Sequence, residues 1–268
     1  MLEKLFYSNF NTFMKRTFIF LAMRLERKIN TRNNWLFIGC TTLLLLTTTA
    51  QAQDYTITTT STSITVTDVS GNGETLNISE SGGNIRFVVT PTNRTYSINS
   101  GANTAFTTPA DIALSGITSI TVNTAAGADL INIDVFTASF PSLTLNGGTG
   151  DDAVNFNGDI TFASNANLDA DLQNDDAAPG IDSVTVAASA NLVLSGTGAA
   201  TVKVSKNVRI NAGGSIETMN GNLTVEANQQ TTANGGDFSG VDLNGGFLKA
   251  NNTGIVNVKG RGGMTRLE

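Results

Sequence analysis

The chain of 268 residues contains no histidine, one cysteine and one tryptophan. The latter two, Cys40 and Trp35, both precede Gln53. For everything after that point, these absences exclude a histidine-dependent catalytic triad, zinc held by histidine or cysteine, a redox cysteine pair and a disulfide framework. Positive charge is also scarce: 16 Lys and Arg stand against 22 Asp and Glu, and seven of the bases but only two of the acids precede Gln53. The remainder carries nine bases against twenty acids, a poor match to nucleic-acid phosphates. Long amphipathic periodicity is missing as well. No stretch of a dozen residues keeps apolar side chains at i, i+3, i+4 and i+7 without a Gly, Pro or β-branched interruption, so helix is not expected.

What is present begins with an export signature. A basic stretch holding Arg24, Arg27, Lys28 and Arg32 precedes the apolar core Trp35–Leu46, and Ala50-Gln51-Ala52 follows it. That order predicts a signal peptide over residues 1–52, cut after Ala52; the core is too short for a permanent membrane span. Met23 as the true start gives a leader of ordinary length. Phe37-Ile38-Gly39-Cys40 resembles a lipoprotein box, but the most apolar run, Leu43–Leu46, lies beyond the cysteine and argues against lipidation. The compartment implied is secreted or cell-surface, in bacterial style.

From Gln53 onward, all but one of the 27 glycines separate short runs rich in Val, Ile, Leu and Thr. Ile64-Thr65-Val66, Ile120-Thr121-Val122, Leu143-Thr144-Leu145 and Val184-Thr185-Val186 are examples of an apolar–polar–apolar triplet that places both apolar side chains on one sheet face. The expected fold is all-β. Residues 53–115 read as a small β module, with turns at Gly71-Asn72-Gly73 and Ser81–Asn84, and residues 116–268 as β-repeats. A β-sandwich and a parallel β-solenoid both satisfy the triplets, and internal repetition favours the solenoid. Ile120–Ile133 (ITVNTAAGADLINI) matches Leu143–Phe156 (LTLNGGTGDDAVNF) at an offset of 23 residues, with Gly127 over Gly150 and Asp129 over Asp152. Pro179–Val186 places Gly180 and Asp182 at the same spots after a further 30 residues, and Gly198–Val202 keeps the glycine without the acid. Units of this length suit rungs that bury their apolar faces only by stacking. Asn228–Asn234 reads as a polar loop or bulge. The strand-like Val256-Asn257-Val258 is followed by no polar cap, so the sequence is expected to be part of a longer protein.

Between Arg94 and Lys203 there is no base and there are eleven carboxylates, every one an Asp. Asp favours turns because its short side chain accepts nearby backbone N–H groups, which explains single residues on a solvated surface. It explains less well a long segment with no compensating base, since like charge opposes compaction.

Gly147-Gly148-Thr149-Gly150-Asp151-Asp152-Ala153-Val154-Asn155 resembles the nonapeptide G-G-x-G-x-D-x-U-x of the repeats-in-toxin calcium-binding proteins. The resemblance implies a calcium-binding turn built from Gly147, Gly148, Gly150 and Asp151, with Asp152 as the carboxylate ligand and Val154 in the core. Asp129 and Asp182 are the matching acids of two partial copies. The family sets its nonapeptides back to back, whereas these copies are 23 and 30 residues apart. The Gly-, Thr- and Asn-rich style of the whole chain resembles bacterial secreted, adhesin-like β-strand-repeat proteins. That implies a non-enzymatic structural or adhesive cell-surface protein, calcium as its cofactor, and a surface polysaccharide or protein as partner. Two alternatives stay open: a calcium-dependent polysaccharide-binding module, and a β-solenoid carbohydrate-active enzyme. The enzyme would draw on Asp151/Asp152 or Asp175/Asp176 with Lys203, Lys206 and Arg209. Neighbours in a strand face opposite ways, and after the leader there is no Trp and there are only two Tyr, Tyr55 and Tyr96, which leaves little aromatic platform for sugar stacking. Gly148–Ala153 also fits G-x-G-x-x-A, but Asp151 and Asp152 would lie where a pyrophosphate must, and strand rather than helix follows.

Overall fold

The computed structural model describes residues 53–173 and 180–263, so the leader with Cys40 and the Asp175/Asp176 pair lie outside the described residues. The described chain is strand and turn, and no helix in it is long and apolar enough to cross a membrane. It opens with β1 (Tyr55–Thr59), β2 (Ser63–Asp68), β3 (Thr75–Ser81), β4 (Asn84–Thr90), β5 (Thr95–Ile98), β6 (Thr104–Ala105) and β7 (Ala110–Ala113). The chain then winds in rungs of three strands. These are β8 (Ser119–Asn123), β9 (Leu130–Ile133) and β10 (Phe136–Phe140); then β11 (Ser142–Asn146), β12 (Ala153–Phe156) and β13 (Ile160–Phe162). The next are β14 (Leu168–Asp171), β15 (Ser183–Val186) and β16 (Asn191–Leu194), followed by β17 (Ala200–Val204), β18 (Asn207–Ile210) and β19 (Ser215–Thr218). Last come β20 (Leu223–Ala227), β21 (Val241–Asp242), β22 (Phe247–Ala250) and a final β23 (Val256–Gly260).

Strands one rung apart pair in parallel, giving a ten-stranded, an eight-stranded and a five-stranded sheet. The fold is a parallel β-solenoid, and the sandwich alternative falls away. The register follows from the triplets. Ile64, Ile120, Leu143, Leu168, Ala200 and Leu223 stack in one inward column of the ten-stranded sheet, and all are buried. Leu76, Ile131, Val154, Val184 and Val208 form the matching column of the eight-stranded sheet. Each fully buried Val, Ile or Leu contributes roughly 1.5–3 kcal/mol, so the stack of apolar columns dominates the stability. The five-stranded sheet adds aromatic packing, with ring centroids 4.5 Å apart for Phe136–Phe140 and 5.7 Å for Phe140–Phe162.

Within residues 53–115, β2 pairs in parallel with β8 and β3 with β9, so this stretch supplies two strands to the long sheets. Its other strands extend the same sheets by mostly antiparallel pairing. Tyr55, Tyr96 and Phe106 are buried together there, with Phe106 4.6 Å from Tyr96 and 5.7 Å from Tyr55 between centroids. One sequence alignment is corrected. Ala200–Val202 belongs to β17 in the register of β14, and so is not a copy of the acidic turn.

Candidate metal centre

Each of the first four rungs passes from the ten-stranded to the eight-stranded sheet through a turn whose last residue is acidic. Glu74 precedes β3, Asp129 precedes β9, Asp152 precedes β12 and Asp182 precedes β15. Side chains alternate along a strand, so a residue two before the inward Leu76, Ile131, Val154 or Val184 also points inward. All four acids are buried accordingly.

They form a ladder. The backbone N–H of Glu74 donates to Asp129 Oδ1 at 2.8 Å, that of Asp129 to Asp152 Oδ1 at 2.9 Å, and that of Asp152 to Asp182 Oδ1 at 2.9 Å. The N–H of Asp182 donates to Ser205 Oγ at 2.8 Å, whose hydroxyl donates in turn to Gly180 O at 2.6 Å. Ser205 therefore occupies the place that acids hold in the earlier rungs. Beyond it, Gln230 Nε2 and Asn234 Nδ2 both reach Ser205 O, and Asn228 Oδ1 accepts from Gln230 Nε2 and Asn234 N. The segment Asn228–Asn234, which reads as a polar loop, thus sends Asn228 and Gln230 into the interior.

The seven turn residues singled out in the sequence divide three ways. Asp129, Asp152 and Asp182 meet in the buried column. Gly147, Gly148 and Gly150 form the turn between β11 and β12. A side chain on Gly148 (φ +86°) or Gly150 (φ +132°) would overlap the carbonyl of Ala125 or Gly127 in the turn below, so these two positions admit glycine alone. Thr149 and Gly127 seal the contact, with Gly127 N donating to Thr149 O and Thr149 N to Ala125 O, each at 2.8 Å. Asp151 stands apart: it is exposed, and its Oδ1 accepts from Ile181 N at 2.9 Å. The Asp151 and Asp152 carboxylates accordingly do not converge. The bases are engaged elsewhere, Lys203 with Asp171 at 3.8 Å, Arg209 with Asp242 at 3.1 Å, and Lys206 over the Phe238 ring at 5.6 Å.

The first turn holds a feature that sequence reasoning missed. Asp68, at the end of β2, and Glu74 lie beside Asp129, and a carboxylate oxygen from each comes within 4.8 Å of the other two. The three residues are 1%, 4% and 3% exposed. One oxygen of each is engaged: Asp68 Oδ1 accepts from Ser70 N at 2.7 Å, Glu74 Oε1 meets Arg94 Nη2 at 2.7 Å, and Asp129 Oδ1 serves Glu74 N. The other oxygens, Asp68 Oδ2, Glu74 Oε2 and Asp129 Oδ2, are buried and reached by no donor among the described residues. Burial raises all three carboxyl pKa values, and for Asp129, where the charges of Asp152, Asp68 and Glu74 add to it, to about 7. The buried Tyr55 hydroxyl also has no hydrogen-bond partner among the described residues; burial, then the charges of Glu74, Asp68 and Asp129, raise its pKa. Arg94 is the compensating base, and it is shared with Asp54, 3.4 Å away. A frame of Asp68 and Glu74 with a partner 55 residues downstream has no period to reveal it, because β4–β7 interrupt the repeat.

No family model matches this chain, and no curated protein or solved structure matches it significantly.

Proposed function

We propose that this protein is an exported, non-enzymatic β-solenoid of the bacterial cell surface that is stabilised by calcium in its acidic turns and adheres to a surface polysaccharide. The observation that carries the reading is the outer face of the ten-stranded sheet. Ser63, Ser119 and Ser142 line up across three neighbouring strands, as do Thr65, Thr121 and Thr144, and Thr67, Asn123 and Asn146. Strands lie about 4.8 Å apart, so short hydroxyls and amides repeat on a fixed grid. A periodic polymer meets such a grid through many weak hydrogen bonds, whereas a small ligand needs a concave site. The amides are held in place by one another: Asn146 Nδ2 donates to Asn123 Oδ1 at 2.7 Å, and Asn123 Nδ2 to Thr67 Oγ1 at 3.3 Å. Export is supported by the leader signature of residues 1–52, and calcium by the column of inward acids.

The test is co-sedimentation with insoluble cell-surface polysaccharides, comparing the wild type with Thr121→Lys/Thr144→Lys. The expected result is binding that falls at least about tenfold in the double variant, since two lysines lift the polymer off the grid, while the melting temperature stays within about 2 °C because surface changes cost little. Binding unaffected by the substitutions would move adhesion off this face. Binding to none of the polymers would leave only the structural half of the reading. Sequencing the amino terminus of protein recovered outside the cell checks export, with Gln53 expected first.

A further inference from the structure

We propose that a hard divalent cation, calcium by preference, binds in the first turn of the solenoid between Asp68, Glu74 and Asp129. This rests on the calcium reading above and gives the ion a place which the nonapeptide did not indicate. The carboxylates come from two successive rungs, so an ion held there ties the first rung to the second.

Three observations converge. Each of the three acids keeps one oxygen engaged with the protein and presents a second, buried oxygen that no donor satisfies. Leaving a buried ionised oxygen unpaired is costly, and a network only partly satisfied is worse than an apolar one. Charge does not balance either. Asp68, Glu74 and Asp129 lie together, and Arg94, the base that reaches this cluster, pairs with Glu74 and with Asp54 and, among the described residues, forms no ion pair with Asp68 or Asp129. One divalent cation removes most of that excess. The third observation is the Tyr55 hydroxyl, buried beside the same acids without a partner, a neutral oxygen of the kind a hard cation accepts.

The donor set fixes the class of ion. All available atoms are carboxylate or hydroxyl oxygens, which suit calcium, magnesium or manganese and not a soft metal. The turn of residues 69–73, which joins Asp68 to Glu74, is exposed apart from the half-buried Ser70. That turn sits directly on the next one: a side chain on Gly73 would meet Ala128 O at 2.5 Å, and one on Gly127 would meet Asn72 C at 2.5 Å. The two turns therefore approach as closely as backbone permits over the acids.

The experiment is a thermal melt of the purified full chain, freed of metal by chelator, then titrated with calcium, magnesium and manganese chlorides. The wild type, Asp68→Asn, Glu74→Gln and Asp182→Asn are compared. Asp68→Asn keeps the Oδ1 that accepts from Ser70, and Asp182→Asn keeps the Oδ1 that accepts from Asp152, so both leave the backbone bonds intact. A site with a Kd near ~10⁻⁴ M raises the wild-type midpoint by about 3–6 °C in ~10⁻³ M calcium. The rise is expected to persist in Asp182→Asn and to vanish in Asp68→Asn and Glu74→Gln. Terbium provides a readout that does not depend on the variants folding equally well. Bound beside Tyr55, it is expected to luminesce on tyrosine excitation, and Tyr55→Phe is expected to abolish that emission and to weaken the calcium shift, since it also removes a donor oxygen. A shift that survives in Asp68→Asn and Glu74→Gln but is lost in Asp182→Asn overturns this location and leaves calcium in the later turns. No shift with any of the three cations, together with no tyrosine-sensitised terbium emission, overturns both.

Discussion

The early and late rungs of this solenoid stack their strands in the same parallel register but distribute charge in opposite ways. In the early rungs the interior column is acidic, with Glu74, Asp129, Asp152 and Asp182, while the outer face of the ten-stranded sheet is neutral, with Thr67, Asn123 and Asn146 in line. In the late rungs the interior column is neutral, with Ser205, Asn228 and Gln230, and the same outer row, charged from Asp171 in the rung of Asp182 onward, continues as Lys203, Glu226 and Lys259 in alternating sign. Parallel stacking fixes which residues lie over one another, and either amide ladders or opposite charges can hold that register. The difference shows that the apolar columns are the constant element. The polar columns are interchangeable as register devices, but only the acidic interior creates a demand for a counter-ion.

The largest effect is expected at the turns. Gly150→Ala drives a methyl group into the Gly127 carbonyl at φ +132° and should cost at least about 3 kcal/mol. Gly213→Ala in a late rung has φ +74° but finds only Ser189 Oγ at 3.4 Å, so about 1 kcal/mol is expected. Denaturant titration of both variants checks the contrast, and equal losses would erase it.

Next comes the ladder itself. Asp152→Ala removes the acceptor of the buried Asp129 N–H, and a loss of about 2–3 kcal/mol is expected, with Asp152→Asn recovering most of it. Ser205→Ala removes a neutral acceptor from Asp182 N–H and should cost about 1–2 kcal/mol. If Asp152→Asn proves as damaging as Asp152→Ala, then charge rather than the hydrogen bond holds the early rungs.

The outer rows should respond least. Lys203→Glu places a like charge between Asp171 and Glu226, its partners in the two adjacent strands, and should cost at most about 1 kcal/mol, falling in molar salt. Thr144→Ser, in the neutral part of the face, should show no salt dependence. The smallest change concerns Glu80, whose Oε2 accepts from Thr137 N at 2.6 Å, Thr137 Oγ1 at 2.8 Å and Ala138 N at 3.3 Å, which lowers its pKa. Its contribution is present above the ordinary glutamate range and is lost as pH falls through the lowered value in the folded protein. Glu80→Gln should therefore flatten the acid limb of the stability curve slightly, and an unchanged limb would remove Glu80 from the account.

Much of this architecture was legible because parallel stacking turns a sequence offset into a contact. The offset of 23 residues between Asp129 and Asp152 reappears as a hydrogen bond between them, and the offset of 30 as the bond from Asp152 to Asp182. The direction of the acids was also written in the chain, since each stands two positions before an inward apolar residue. The habit of reading Asp as surface punctuation hid it, although Asp151 shows that the habit holds one residue away. Ser205 escaped because a hydroxyl takes over the acceptor role without resembling an acid. Asp68 and Glu74 escaped because the inserted strands β4–β7 break the period, and a Glu stands where the other rungs have Asp.

The most direct test of the ladder is native-state hydrogen exchange at the backbone amides of Glu74, Asp129 and Asp152. Each should exchange as slowly as amides of the core strands, and Asp152→Ala should accelerate Asp129 selectively while Asp152→Asn does not. Exchange at Asp129 as fast as at the exposed Gly71 would contradict the inward column and return these acids to the solvent.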